Sequence, residues 1–563
     1  MRSLLTPRTL FGVLLVCYLC LAVHFYLPNM GGCGLDMPYN QMGWVFVTAM
    51  ITCGIWQVAR DGELVVSRFH LWSWVIWLFL LIPLIYPLSQ SFQQVSGRFV
   101  AISAGLLFYL SLLQFRFTAR ERVRGLYLVL FAVSIEIVIG LIQYFWLTPG
   151  NWIQYDTALN RPYGIFQQPN VMASFVATGL AISLYLCTKQ STTSLKGWQI
   201  ALHGWIALSG SFILVVLQSR TGELAAIVVM LLLLPAGIRY QKKRLFSFLL
   251  LVGVGIFLGL VALAYIQGVK RGGDGFDSNP GLRVEQYRES IHLIEEHPLL
   301  GVGYGNFSQA FIQDYPKQPH PTQAMLDNMG RQEHPHNEIL YWTVEGGIIA
   351  LIALIIFGWR YLLLLRGGDW YRRLGLMAII MPLMLHSQLE FPFYQSLVHW
   401  LLFVGIIYLT DVERNQTWSV AVVSRNLLRV SSSLILVLVT IYMLGTMQAG
   451  YWLERLGKTP GALQHIVYPG YWKGRVDGLR LIQKAWQRDD MVLLDQYQAE
   501  LTQANRKQPT ATGYAGLILL ASKLGNADLA QLLRKEAQEQ FGAEKMSQEL
   551  QKKQKYLTIA MQP

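Results

Sequence analysis

The feature that most constrains this chain is a series of thirteen apolar runs, each near the length a helix needs to cross about 30 Å of hydrocarbon. They lie near residues 10–27, 43–59, 71–88, 98–115, 125–147, 168–187, 198–217, 222–238, 245–267, 343–362, 374–390, 397–411 and 430–450. The runs at 222–238 and 397–411 sit at the edge of the criterion, so twelve or fourteen spans also fit. With 53% hydrophobic and 14% charged residues over 563 positions, the expected fold is all-α: a polytopic helical membrane protein rather than a soluble enzyme.

Charge bias in the connections sets the orientation. Arg60, Arg68, Arg116, Arg120, Arg122, Arg124, Lys189, Lys196, Arg239, Lys242, Lys243, Arg244, Arg360, Arg366, Arg372, Arg373, Arg414, Arg425 and Arg429 all fall on one side, which the positive-inside rule makes cytoplasmic, with the N-terminus inside and the C-terminus outside. The net charge of +13 is then mostly topology and not a nucleic-acid footprint. The opposite short connections carry only Arg161 and Arg220, which need another reason to be there. The first run lacks a small-residue cleavage site and is expected to be an uncleaved anchor. Cys17, Cys20, Cys53 and Cys187 fall inside spans, where packing is the ordinary role of cysteine.

The expected organisation is residues 1–267 as nine spans, 268–342 as a large outer loop, 343–450 as four more spans, and 451–563 as an outer helical tail. A loop this long favours a functional role. It contains an amphipathic pattern from about 281 to 296 closed by His297-Pro298 and a glycine-rich turn. In the tail, "GYAGLILLASKLGNADLAQLLRKEAQEQFG" reads as a helical hairpin like one tetratricopeptide unit.

Five outer stretches could carry chemistry: "RPYGIFQQPNVMASF" from Arg161, "LQSRTGELA" around Arg220, "NPGLRVEQYRES" around Arg283, "HPHNE" from His334 to Glu338, and "MLHSQLEFPFYQS" with His386, Gln388 and Glu390. Ionisable groups at membrane depth usually face a protein interior or a water-filled cavity. Arginine's planar, always-charged fork suits a diphosphate. Against this, Arg161 and Arg220 could snorkel to headgroups, and Arg283 could sit on a solvated helix face among Glu285, Arg288 and Glu289. An imidazole such as His336 can accept a proton near neutral pH, although His336 and Asn337 could equally cap the apolar helix that follows. Glu333, His334, His336 and Glu338 are all possible metal ligands, but their spacing does not place two histidines on one helical face, and no metal site or cofactor is expected.

These stretches, in this order, resemble the bacterial O-antigen ligase and polymerase superfamily. Within it, "PNMGGCGLDMPYNQMGW", "HSQLEFPFYQS" and the helical tail look like the protein O-oligosaccharyltransferases that glycosylate pilins. The resemblance implies an inner-membrane, metal-independent, inverting glycosyltransferase with its active site on the periplasmic face. Its donor would be an undecaprenyl-diphosphate-linked glycan and its acceptor a Ser/Thr hydroxyl of a pilin or other periplasmic protein. It also implies His336 as the essential base or orienting group and Arg220 and Arg283 as diphosphate-binding residues, with Arg161 a less certain member of that set. Gln168, Asn170, Asn337 and Glu390 stand as supporting residues, with His334, Glu338 and Gln388 beside them. The alternatives are a ligase moving glycan to the lipid A core and, from other classes, a transporter or a scaffold. The transporter reading lacks paired internal repeats and broken helices in matching halves.

Overall fold

The structure is a computed structural model describing residues 6–85, 92–190, 194–267, 280–326, 332–366, 369–412, 417–507 and 510–561. Part of the expected connection at 88–97, segments 268–279 and 327–331 of the expected outer loop, and Arg414 lie outside the described residues.

The chain forms two compact units. The first comprises Met1–Tyr26, Met37–Phe311 and Glu333–Val439, and the second Leu27–Asp36, Ile312–Gln332 and Thr440–Pro563. Helices follow one another along the chain: α1 Pro7–Cys20, α2 Pro38–Asp61, α3 Arg68–Leu81, α4 Phe92–Gln114, α5 Ala119–Phe145, α6 Pro169–Thr188, α7 Gly197–Trp205, α8 Ser211–Leu217, α9 Arg220–Tyr240 and α10 Lys242–Ala262. Then come α11 Pro280–Glu296, α12 Phe307–Asp314, α13 Gln323–Leu326, α14 Glu338–Leu365, α15 Trp370–Leu389, α16 Pro392–Gln395, α17 Leu397–Val412 and α18 Arg425–Glu454. A π-helical turn, Ile206–Gly210, joins α7 to α8.

Each of the thirteen apolar runs centres on a helical segment. Among the described residues, eleven helices are long and apolar enough to cross a membrane. The other two runs correspond to α15, which carries Arg372, Arg373, His386 and Gln388, and to α17, apolar but only 16 residues long. The protein is an all-α, multi-pass membrane protein.

Helix α6 is buried over almost its whole length and forms the centre of the first unit. It runs parallel to α9. A Cβ on Gly222 would lie 2.5 Å from that of Ala173, and one on Gly237 would lie 3.0 Å from the Thr188 side chain. Both contacts pair like ends, so the two N-termini share one end of the bundle. Helix α15 packs beside them in the opposite direction, with Gly375 against Tyr185 near the C-terminus of α6 and Glu390 against Asn170 near its start.

Helix α14 is broken at Gly347, whose φ of 61° is a left-handed value that glycine adopts at no steric cost. The glycine-rich turn after α11 fills the break: Val302 N donates to Val344 O (2.8 Å), Gly303 N to Glu345 O (3.0 Å), and Ile348 N to Pro298 O (2.8 Å). These bonds satisfy backbone groups that a broken helix would leave orphaned, a costly defect in an apolar interior.

A two-stranded ribbon is an addition to the expected all-helical pattern. Strand β1, Glu63–Ser67, pairs antiparallel with β2, Thr417–Ala421, in the register Glu63↔Ala421 to Ser67↔Thr417. Both strands are five residues long and flanked by spans, so neither offers a periodic signal of useful length.

In the second unit, α19 Lys473–Arg488, α20 Met491–Lys507, α21 Ala511–Lys523, α22 Ala527–Phe541 and α23 Ala543–Ala560 make up the tail. The expected hairpin is α21 and α22, capped by Thr510 and Asn526 and packed through Ala515, Ile518, Ala521, Ala530 and Ala537.

Candidate functional site

Three helices of the first unit begin in the same way. Gln167 (φ 55°), Gln218 (φ 50°) and His336 (φ 55°) are left-handed. Each is followed by an extended residue (Gln168, Ser219 and Asn337) and then by the first residue of α6, α9 or α14. A left-handed non-glycine residue costs roughly 1–2 kcal/mol, and such strain gathers where surrounding structure holds a functional geometry. Ser219 Oγ accepts from Gly222 N at 3.3 Å, and Asn337 Oδ1 accepts from Leu340 N at 3.0 Å. The capping role open to Asn337 in the sequence is therefore real, and it leaves the neighbouring His336 side chain outside the helix.

The end of α15 ties these starts together. Asn337 Nδ2 donates to Gln388 O at 3.1 Å, and the Tyr287 hydroxyl of α11 lies 3.4 Å from the carbonyls of both His336 and Gln388. Glu390, buried to 1% exposure, accepts from Asn170 Nδ2 and, at 3.4 Å, from Arg283 Nη2. The predicted residues Asn170, Arg283, His336, Asn337, Gln388 and Glu390 are thus brought to one end of the bundle. The neighbouring pair on α11 is exposed Arg288 with the largely buried Glu285, at 3.0 Å.

Behind Glu390 lies a chain of buried polar groups. Glu390 Oε2 is 3.2 Å from His386 Nε2, His386 Nδ1 is 2.7 Å from Ser174 Oγ, and Ser174 Oγ is 3.0 Å from His399 Nε2. Ser174 Oγ also donates to Val171 O at 3.0 Å, and His399 Nε2 lies 3.1 Å from the same carbonyl, so the chain is anchored to the backbone of α6. The sequence singles out neither Ser174 nor His399. Each is one of several polar residues in an otherwise apolar run, and its partner is more than 200 positions away.

His334 supports the backbone of His336. Its Nδ1 accepts from His336 N at 2.8 Å, and its ring packs 4.3 Å from Tyr341 and 4.7 Å from Phe391. Accepting that bond requires Nδ1 to be unprotonated. Burial, and the nearby His336 and Arg98, hold the His334 imidazole well below its ordinary range. A group with a depressed folded value stabilises the fold above its unfolded value, about 6.5, and that stabilisation is lost as pH falls toward the folded value. Acid should therefore lower the melting temperature below about pH 6.5. His334→Asn, which keeps an acceptor but has no titrating ring, is expected to flatten this part of the profile in melts of the purified protein. An unchanged profile would remove His334 as its source.

Tyr341 and Tyr394 lead to a residue that does not stand out in the sequence. Arg98 of α4 donates to Glu345 Oε2 and to the Tyr341 hydroxyl, each at 2.6 Å. Its guanidinium carbon lies 4.4 Å from the Tyr341 ring centroid, 4.8 Å from Trp342, 5.7 Å from Tyr394 and 5.8 Å from Tyr304. Glu345 also accepts from Gly305 N at 3.0 Å and Phe307 N at 3.3 Å, so it clamps the glycine-rich turn into the break of α14. The available signal was charge: Arg98 heads a span at the end opposite the basic connections, where basic residues are scarce.

Arg161 and Arg220 occupy the adjoining start of α9. Arg161 Nε donates to Leu217 O at 2.7 Å and Nη2 to Gln218 O at 3.4 Å, across the end of α8. Arg220, the first residue of α9, is exposed. Gln168 is the N-cap position of α6, without a side-chain cap bond. Glu338 opens α14 and interacts with Trp342 and Tyr394.

Fold and site together define a multi-pass helical membrane protein with arginines, histidines and three helix N-termini at one end of its bundle. Residues 205–355 match the O-antigen ligase family, residues 374–555 the C-terminal region of virulence-factor membrane-bound polymerases, and residues 162–187 the protein glycosylation ligases. These matches, each to a separate part of the chain, support the O-antigen ligase superfamily, which includes protein glycosylation ligases, and indicate a glycosyl-transferring membrane enzyme. No curated protein matches it.

Proposed function

We propose that the protein transfers a preassembled glycan from undecaprenyl-diphosphate to a Ser/Thr hydroxyl of a pilin or another periplasmic protein, on the outer face of the inner membrane. The observation that carries this reading is the convergence of Arg283, His336 and the N-termini of α6, α9 and α14 at one end of the bundle. Helix N-termini and arginine forks both favour a bound diphosphate.

In this reading His336 orients the acceptor hydroxyl and takes its proton as the oxygen attacks the anomeric carbon. The bond from that carbon to the diphosphate oxygen breaks, and Arg220 and Arg283 stabilise the charge that grows on the leaving group. Arg161 holds the turn before Arg220, and Glu390 fixes one edge of Arg283. Direct displacement inverts the anomeric centre. The diphosphate is already a good leaving group, so the step needs no metal.

Pilin from cells with the protein is expected to be heavier than pilin from cells lacking it, by the mass of one whole glycan. The match to O-antigen ligases keeps the lipid A core as the second acceptor. An unchanged pilin mass together with lost lipopolysaccharide ladders would assign the protein to that reaction instead.

A further inference from the structure

In the second unit, the segment after α18 turns back along the helix. A Cβ on Gly445 would collide with the Tyr468 ring, and one on Gly470 would collide with Thr446 Oγ1. Residues 467–471 therefore lie level with residues 442–446, which belong to the apolar span. Gly445 is nine residues before the end of α18 at Glu454, or about 13 Å along the helix axis.

Polar side chains of the span satisfy part of the backbone of this segment, and Arg480 of α19 donates to Ile466 O at 2.6 Å. Tyr471 N donates to Thr446 Oγ1 at 2.9 Å, Val467 N donates to Gln448 Oε1 at 3.3 Å, and Gln448 Nε2 donates to His465 O. Trp472 N donates to Pro469 O at 2.9 Å. Non-helical backbone at membrane depth requires internal partners of this kind. Of the outward side chains, Val467 is 88% exposed, Tyr468 45% and Tyr471 47%, while His465, also exposed, stacks on Trp452. Val467 and the two tyrosines continue the exposed apolar face of α18 formed by Ile441 and Leu444. Tyr471 also interacts with Asp36, which marks the polar edge.

We propose that residues 465–472 form a re-entrant wedge whose Val467 and Tyr468 insert among lipid acyl chains of the outer leaflet and anchor the start of the tail to the bilayer. The occupant follows from depth: the wedge shares the level of a membrane-crossing helix and prolongs its exposed apolar face. Tyrosine is favoured at the membrane–water boundary, where its ring is buried and its hydroxyl is wet.

The test places a photoreactive diazirine residue at position 467 of the full chain, with position 441 of α18 as the lipid-facing reference and position 492 of the tail as the aqueous one. The purified proteins are irradiated in phosphatidylcholine–phosphatidylglycerol vesicles and their intact masses are measured. Phospholipid adducts are expected at 467 and 441, with water addition at 492. Adducts at 441 but only water addition at 467 would overturn the proposal and leave the segment as a surface for a water-soluble partner.

Discussion

Replacing His336 with alanine is expected to lower glycan transfer by roughly 10²–10⁴-fold, the usual contribution of a positioned general base, in a protein that still folds. His336 is itself left-handed, so loss of activity in the alanine variant alone could reflect a changed backbone. Asparagine tolerates the left-handed region better than most residues and has no basic ring. His336→Asn should therefore keep the turn, the bond from residue 336 N to His334, and the melting temperature, while losing transfer as completely as the alanine variant. Transfer rates from both variants, measured on purified protein, check this. An active His336→Asn enzyme would assign His336 to structure rather than to proton transfer.

The second large effect is on stability. Arg98→Met keeps most of the side-chain length but leaves Glu345 buried without its cation, and breaking a buried pair in this way costs about 3–5 kcal/mol. Two backbone N–H groups still reach Glu345, so the turn at 301–307 should loosen before the bundle does. Limited proteolysis of the turn and thermal melts should both show the loss in Arg98→Met and in Glu345→Gln. The double variant should recover part of it, because neither charge is then left alone. Single variants as stable as the parent would show that the pair does not hold the break in α14.

The spans were legible because each is a long, local pattern of apolar residues. The helix at Pro280–Glu296 was legible for a similar reason, since an amphipathic run ends there at His297-Pro298 and glycine. His336 and Glu390 could be picked out because they are ionisable groups at span ends, and Arg283 because a loop arginine suits a diphosphate; the structure joins them through Tyr287, Gln388 and Asn170. Arg98 and Glu345 could not be paired from sequence, since 247 positions separate them and neither makes a periodic pattern. The break at Gly347 was hidden for another reason. A Gly-Gly step inside an apolar run is compatible with an unbroken helix, and only the docked turn at 298–303 makes the left-handed residue necessary.

The proposed reaction is en bloc transfer from a lipid-linked diphosphate donor to a protein hydroxyl. The decisive assay incubates the purified protein in vesicles with undecaprenyl-diphosphate glycan and a pilin acceptor, with no metal added and chelator present, and measures the intact acceptor mass. A single increment equal to the whole glycan is predicted, mapped to a Ser or Thr and absent with His336→Asn. An acceptor of unchanged mass, while lipid A core in the same vesicles gains the glycan, would contradict it.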